Sequence, residues 1–194
     1  LMDLVEKIKK QVIEDIEIYK NTSPDHYDFW NEHIKYVYEE SINLAKKYNA
    51  NLEIVALGSL LHDIALIRRV GTKKDHHING KIIAEKILKD NNCPPDIINR
   101  VSMCVYNHRS SKNANTIEEL CVSDADILAH FDNIPMLFNL AFNIENLNLN
   151  EVNSWLKEVF QKDYNDLSEK TKELFKERYK MICEIVIRAE KSYI

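Results

Sequence analysis

Asn51-Leu-Glu-Ile-Val-Ala-Leu-Gly-Ser-Leu-Leu-His-Asp-Ile-Ala-Leu-Ile67 is the most apolar stretch of the chain. Its apolar residues lie on nearly every side of a helical projection, and a helix dry on most of its surface is a central, buried one. It ends at the charged, Gly-containing run Arg68 to Asp75. Inside it sit two ionisable neighbours, His62 and Asp63. Adjacent helical positions point about 100° apart, given ~3.6 residues per turn.

The elements around this segment also read as helices, because apolar residues recur with helical period nearly everywhere. Leu4, Val5, Ile8, Val12 and Ile16 stripe a first helix ending near Asn21. Thr22 or Ser23, then Pro24 and Asp25, is a start signal for a second helix running to about Tyr48. A short helix is expected over Lys81 to Lys89, and another from about Asp96 to Asn107. Thr116-Ile-Glu-Glu119 reads as a capping box opening a helix to about Phe131. Pro135 restarts the chain, and two further helices fall near Asn150–Asp166 and Ser168–Ser192. The expectation is an all-α fold of about eight or nine helices, with no strand.

The 194 residues suit a single domain over 1–194, long enough to bury a core without disulfides. The chain is 45% hydrophobic and has only three Gly, which leaves few of the tight turns a many-stranded protein needs. A net charge of −5 offers no broad basic field for nucleic acid or an acidic membrane. Cys93, Cys104, Cys121 and Cys183 lie far apart beside apolar residues and read as free thiols. No apolar run approaches the ~20 residues of a membrane span, and the first residues form no signal-peptide core. A cytoplasmic location is expected.

Burying an imidazole and a carboxylate unpaired costs several kcal/mol. A divalent cation compensates both directly, taking a neutral ring nitrogen and an ionised oxygen as ligands. Because neighbours on a helix diverge, other helices must supply the remaining ligands. His33 in the second helix, His76 at the head of the short helix, His108 at the end of the next and Asp126 in Ser123-Asp-Ala-Asp126-Ile-Leu128 are the candidates.

That ordered set resembles the HD-domain metal-dependent phosphohydrolase superfamily. The matching contexts are Leu60-Leu-His-Asp-Ile64, His76-x-x-x-Gly80 ahead of an Ile-Ile-Ala-Glu helix, Asn107-His108-Arg109 and Asp124-Ala-Asp126-x-Leu128. The resemblance runs from about Asn31 to Phe131, within a motif-bearing core of about 25–132. It implies an HD-type helical bundle in which His33, His62, Asp63 and Asp126 hold one divalent ion: Mn, Mg, Fe, Co, Ni or Zn. Asp124 is the reserve for Asp126, and His77 for His76. His76 and His108 would bind a second ion or contact the phosphate, acting with Asp63 as catalytic residues. Arg109, Lys73 and Lys74 would hold the substrate phosphate. His26, His77 and His130 are read as structural, although His130 lies one turn beyond Asp126.

The activity implied is hydrolysis of a phosphate ester or anhydride of a nucleotide or small phosphorylated metabolite. The Gly-Tyr-Pro element of the cyclic-dinucleotide branch is absent. A di-iron oxygenase on the same scaffold and a non-catalytic metal-binding regulatory module are the alternatives. The helices of 133–194 carry no motif and are expected to complete the core, lid the site or make a homodimer contact.

Overall fold

The computed structural model describes residues 2–191, which are helical nearly throughout and contain no strand. Helix α1 (Met2–Thr22) buries Ile8, Val12 and Ile16 against the centre of the fold. Arg68, at the end of the central segment, ties it down, donating through Nε (2.9 Å) and Nη2 (2.7 Å) to one oxygen of Asp15.

The second helix does not begin at Pro24. Asp25 spends its carboxylate on the Tyr27 amide and the Tyr19 hydroxyl, and His26 turns through a left-handed φ of 50°. The start signal lies at Asp28, which accepts the Asn31 N–H at 3.1 Å while Glu32 accepts the Asp28 N–H at 3.3 Å. The chain then forms a π-helical turn, Trp30–Ile34, that runs straight into α2 (Lys35–Tyr48). A π turn of this kind carries His33.

The apolar segment is α3 (Leu52–Leu61), capped by the Asn51 side chain and buried at every position from Ile54 to Leu61. It is not one helix through Ile67. The helix breaks at His62–Asp63, where Asp63 has φ −103° and ψ 16°, and resumes as the single turn α4 (Ile64–Ile67). This break lets two neighbouring side chains aim at one point.

Helix α5 (His76–Asp90) starts five residues ahead of the expected Lys81, at His76 itself. It pairs with α6 (Pro95–Asn107); α5 leans on α4 and α6 on α3. Two glycines allow these approaches. A Cβ on Gly58 would lie 2.7 Å from the Cys104 Cβ of α6, and one on Gly80 would lie 3.1 Å from Val105 Cγ1. Helix α7 (Ile117–Asp132) packs along α2 and across α3. Its cap is half a capping box: Thr116 accepts the Glu119 N–H, but Glu119 turns its carboxylate to Asn107 and the Asn115 amide. That bond, 2.8 Å to Asn107, pins the end of α6 next to His108.

After α8 (Ile134–Asn139), α9 (Leu149–Asp166) and α10 (Glu169–Lys191) wrap α7. Phe131 stacks between Phe160 of α9 and Phe175 of α10, at ring centroid distances of 5.2 and 4.9 Å. Cys93, Cys104, Cys121 and Cys183 are free thiols. Among the described residues, no helix is long and apolar enough to cross a membrane.

Candidate metal centre

Five elements deliver side chains to one buried point. The π turn brings His33, the α3–α4 break brings His62 and Asp63, the head of α5 brings His76, the end of α6 brings His108, and the middle of α7 brings Asp126. The four imidazoles and Asp63 are all less than 9% exposed.

The donors form two groups hinged on Asp63. On one side, His33 Nε2 lies 3.1 Å from His62 Nε2 and 3.0 Å from Asp126 Oδ1. Asp63 Oδ2 faces this group at 3.8 Å from His33 and 3.6 Å from His62. On the other side, His76 Nε2 and His108 Nε2 stand 2.9 Å apart, with Asp63 Oδ1 at 3.3 and 3.8 Å. Within each trio, His33–His62–Asp63 and Asp63–His76–His108, the ligand atoms fall inside 4.8 Å of one another.

The backbone decides the tautomers. His62, His76 and His108 each donate Nδ1–H to the carbonyl three residues upstream: Ser59 at 2.7 Å, Lys73 at 2.7 Å and Val105 at 2.6 Å. Each Nε2 therefore presents a lone pair to the centre. For His76 and His108 that sets two lone pairs face to face at 2.9 Å, which is repulsive unless a proton or a metal ion lies between them. Two nitrogens bound to one ion at ~2.1 Å stand roughly 3.0–3.4 Å apart, close to the spacing seen. The mixed imidazole and carboxylate donor set fits a divalent first-row ion or Mg²⁺.

Electrostatics agree with a cation site. Burial pushes the Asp63 carboxyl up, but the imidazoles of His62, His33 and His108 together hold it below the usual range. Asp126 is likewise driven far down, its burial outweighed by the His33 bond and the charges of His62 and His33. His108 is depressed to about 4 by burial and by His62, so it stays neutral at physiological pH.

The two reserve residues lie elsewhere. Asp124 points away from the centre and accepts from the Ser168 amide (2.9 Å), the Ser168 hydroxyl (2.5 Å) and Thr171 (2.6 Å), tying α7 to the start of α10. His77 turns out of the cluster, its ring 5.5 Å from that of Tyr106. Lys73, Lys74 and Arg109 are exposed beside the centre. The Lys73 carbonyl receives His76, and Arg109 Nη1 donates to the Lys74 carbonyl at 3.0 Å, so the loop before α5 and the turn after α6 are joined at the rim.

Two neighbours lie outside the candidate set read from the sequence. Tyr27 lies near enough to Asp63 that this charge, with burial and Glu32, raises its hydroxyl. His130, read as structural, faces His33 with centroids 6.1 Å apart and planes 29° from parallel. Its Nδ1 bonds Asp163 Oδ2 of α9 at 2.8 Å. Burial lowers the His130 pKa, but that bond and the Asp163 charge outweigh it and raise the ring. The spacing of four residues after Asp126 was the available signal; the Asp163 partner, 33 residues on, gave none.

The fold and the convergence of these side chains define a helical protein with a buried His/Asp cluster that could hold a divalent metal ion. The chain belongs to the HD domain family, which matches residues 31–130. Three solved structures share its fold over nearly the whole length. Bacillus subtilis YpgQ, crystallised in complex with ADP, superposes with TM-score 0.69 at 18% identity over 97% of each chain. A predicted HD superfamily hydrolase from an uncultured Thermotogales bacterium gives TM-score 0.66 at 20% identity, covering 97% of this chain and 92% of that one. Lin1889 of Listeria innocua gives 0.59 at 23% identity, covering 95% and 97%. In sequence, the chain is 29% identical over 158 residues to the tRNA (cytidine(56)-2'-O)-methyltransferase of Picrophilus torridus, covering 73% of this chain. It spans 45% of the length of that relative.

Proposed function

We propose that this protein is a metal-dependent phosphohydrolase acting on a nucleotide or another small phosphorylated metabolite. The observation that carries the reading is the pair of donor trios sharing Asp63, with backbone-pinned imidazoles presenting lone pairs inward. A divalent ion held there supplies a Lewis acid for a phosphoryl oxygen and a bound water acidified towards neutral pH.

The chain's own residues do the rest. His33, His62, Asp63 and Asp126 form the first holding set. His76 and His108 hold a second ion through Asp63, or bind the phosphate when one ion is present. His108, uncharged at neutral pH, serves as a ligand or proton acceptor rather than as a resident cation. Arg109, Lys73 and Lys74 lie on the rim, without an acidic partner among the described residues, and are free to neutralise phosphate charge. A nucleotide substrate is supported by the ADP bound to the Bacillus subtilis neighbour. Methyl transfer, the activity named for the Picrophilus torridus relative, has no use for this donor set and is not proposed.

The shared carboxylate also suits a pair of irons, so a di-iron oxygenase is the second reading. Chelator-stripped protein reloaded with Mn²⁺, Mg²⁺, Co²⁺, Ni²⁺ or Fe²⁺ and assayed for phosphate release from nucleotides and simple phosphoesters tests both. Turnover with added metal, lost in His62→Ala, is expected. Stoichiometric iron without phosphate release under any loading would overturn the hydrolase reading and favour the oxygenase.

A further inference from the structure

Three of the four centre imidazoles are locked by a backbone carbonyl at Nδ1: His62, His76 and His108. His33 has no such bond among the described residues. It sits on a π turn whose carbonyl register differs from that of an α-helix, and its ring must be oriented by something else. The group against its face is His130, one helical turn beyond Asp126 on α7. His130 is in turn held by Asp163, which is 8% exposed and belongs to α9, outside the 31–130 family match.

We propose that His130, held by Asp163, is a positioning residue that fixes the ring of His33, so that helix α9 is a working part of the metal centre. This rests on the metal-site reading above. The chain of contacts is Asp163 Oδ2 to His130 Nδ1 at 2.8 Å, His130 ring to His33 ring, and His33 Nε2 to His62 and Asp126 at 3.1 and 3.0 Å. A buried carboxylate bonded to Nδ1 denies His130 rotation about its ring axis, and the ring then restricts the swing of His33. Outer residues that orient a ligand in this way commonly change metal affinity by roughly 10- to 100-fold when removed. The arrangement also explains why an acidic residue is buried on α9, where a core position would otherwise be apolar.

The test uses Co²⁺ alone as probe, followed by calorimetry and by its visible absorption, on wild type, Asp163→Leu, Asp163→Asn and His33→Ala. The expected result is a Co²⁺ dissociation constant raised roughly 10- to 100-fold and an altered absorption band in Asp163→Leu, with helicity retained. Asp163→Asn, which still accepts the His130 N–H, restores most of both. In a His33→Ala background, Asp163→Leu adds little further loss. Should Asp163→Leu not fold, Asp163→Asn and His130→Phe carry the comparison. Unchanged Co²⁺ affinity and spectrum in Asp163→Leu or His130→Phe would overturn the proposal. So would a change confined to the KM for substrate, since that places His130 on the substrate. Failure of wild type to bind Co²⁺ at all would instead remove the metal-site reading beneath it.

Discussion

Replacing Asp63 with alanine removes the carboxylate that both donor groups share. Its Oδ2 stands 3.6 Å from His62 and 3.8 Å from His33, and its Oδ1 stands 3.3 Å from His76 and 3.8 Å from His108. One substitution therefore strips an anionic ligand from each side, which His62→Ala or His108→Ala alone cannot do. The size of the effect follows from linkage. A metal that binds the native state and is present at 100 times its Kd stabilises that state by ~2.7 kcal/mol. In a chain of 194 residues each kcal/mol is worth about 2–4 °C in Tm, so added metal should raise the wild-type Tm by about 5–11 °C. Asp63→Ala should show almost none of this rise. Its chelator-treated Tm should lie somewhat below that of wild type, because the imidazoles that hold the Asp63 carboxyl below its usual range lose their anion, so the comparison is of the metal-induced rise in each protein. Calorimetric melts of both proteins, each with EDTA and with Mn²⁺, make the comparison. A full metal-induced rise in Asp63→Ala would refute the claim that Asp63 joins the two groups.

Two further outcomes follow from the same geometry. Asp124→Ala should destabilise the fold by roughly 2–4 kcal/mol, read by urea denaturation, because it strands the Ser168 amide and the Thr171 hydroxyl at the α7–α10 junction. It should leave metal stoichiometry untouched, which separates it sharply from Asp126→Ala. In metal-free protein, His108 is depressed to about 4 in the folded state, so between that value and its ordinary pKa near 6.5 the unfolded chain binds more protons. The His108 contribution to stability should therefore fall as pH drops through this window, by about 3 kcal/mol in all, and level off below it. His108→Phe should flatten that slope in urea melts at pH 7 and pH 4.5.

Much of this site was legible in the one-dimensional pattern because ligand types announce themselves when they interrupt an apolar helix. His62 and Asp63 stand out against Leu60, Leu61 and Ile64, and the ordered recurrence of His76, His108 and Asp126 supplies their companions. Helical periodicity is local, so the positions of α1, α6, α9 and α10 follow from it to within a few residues. Gly80 was visible as a spacing; its reason is the 3.1 Å approach to Val105 that seats α5 and hence His76.

Other features depend on contacts between distant segments and had no local signature. The break after Leu61 reads as continuous helix because Leu60, Leu61, Ile64 and Ala65 on either side of it are apolar and helix-compatible; the break accompanies the aim of His62 and Asp63 at partners from the π turn, α5 and α7. The preference for Asp126 over Asp124 comes from the family resemblance, but its physical reason is tertiary. The two residues share a helix and nearly a context, but they face opposite neighbours, one His33 and the other Ser168. His130 reads as structural by default although its place one turn beyond Asp126 allows a supporting role, since its partner Asp163 lies on a helix that carries no motif. The sequence by itself determined the all-helical class and the inventory of donors, through periodicity and residue chemistry. The resemblance ranked Asp126 above Asp124 and His76 above His77, but only the tertiary structure supplies the reason each turns inward, because that depends on which distant helix packs against each face.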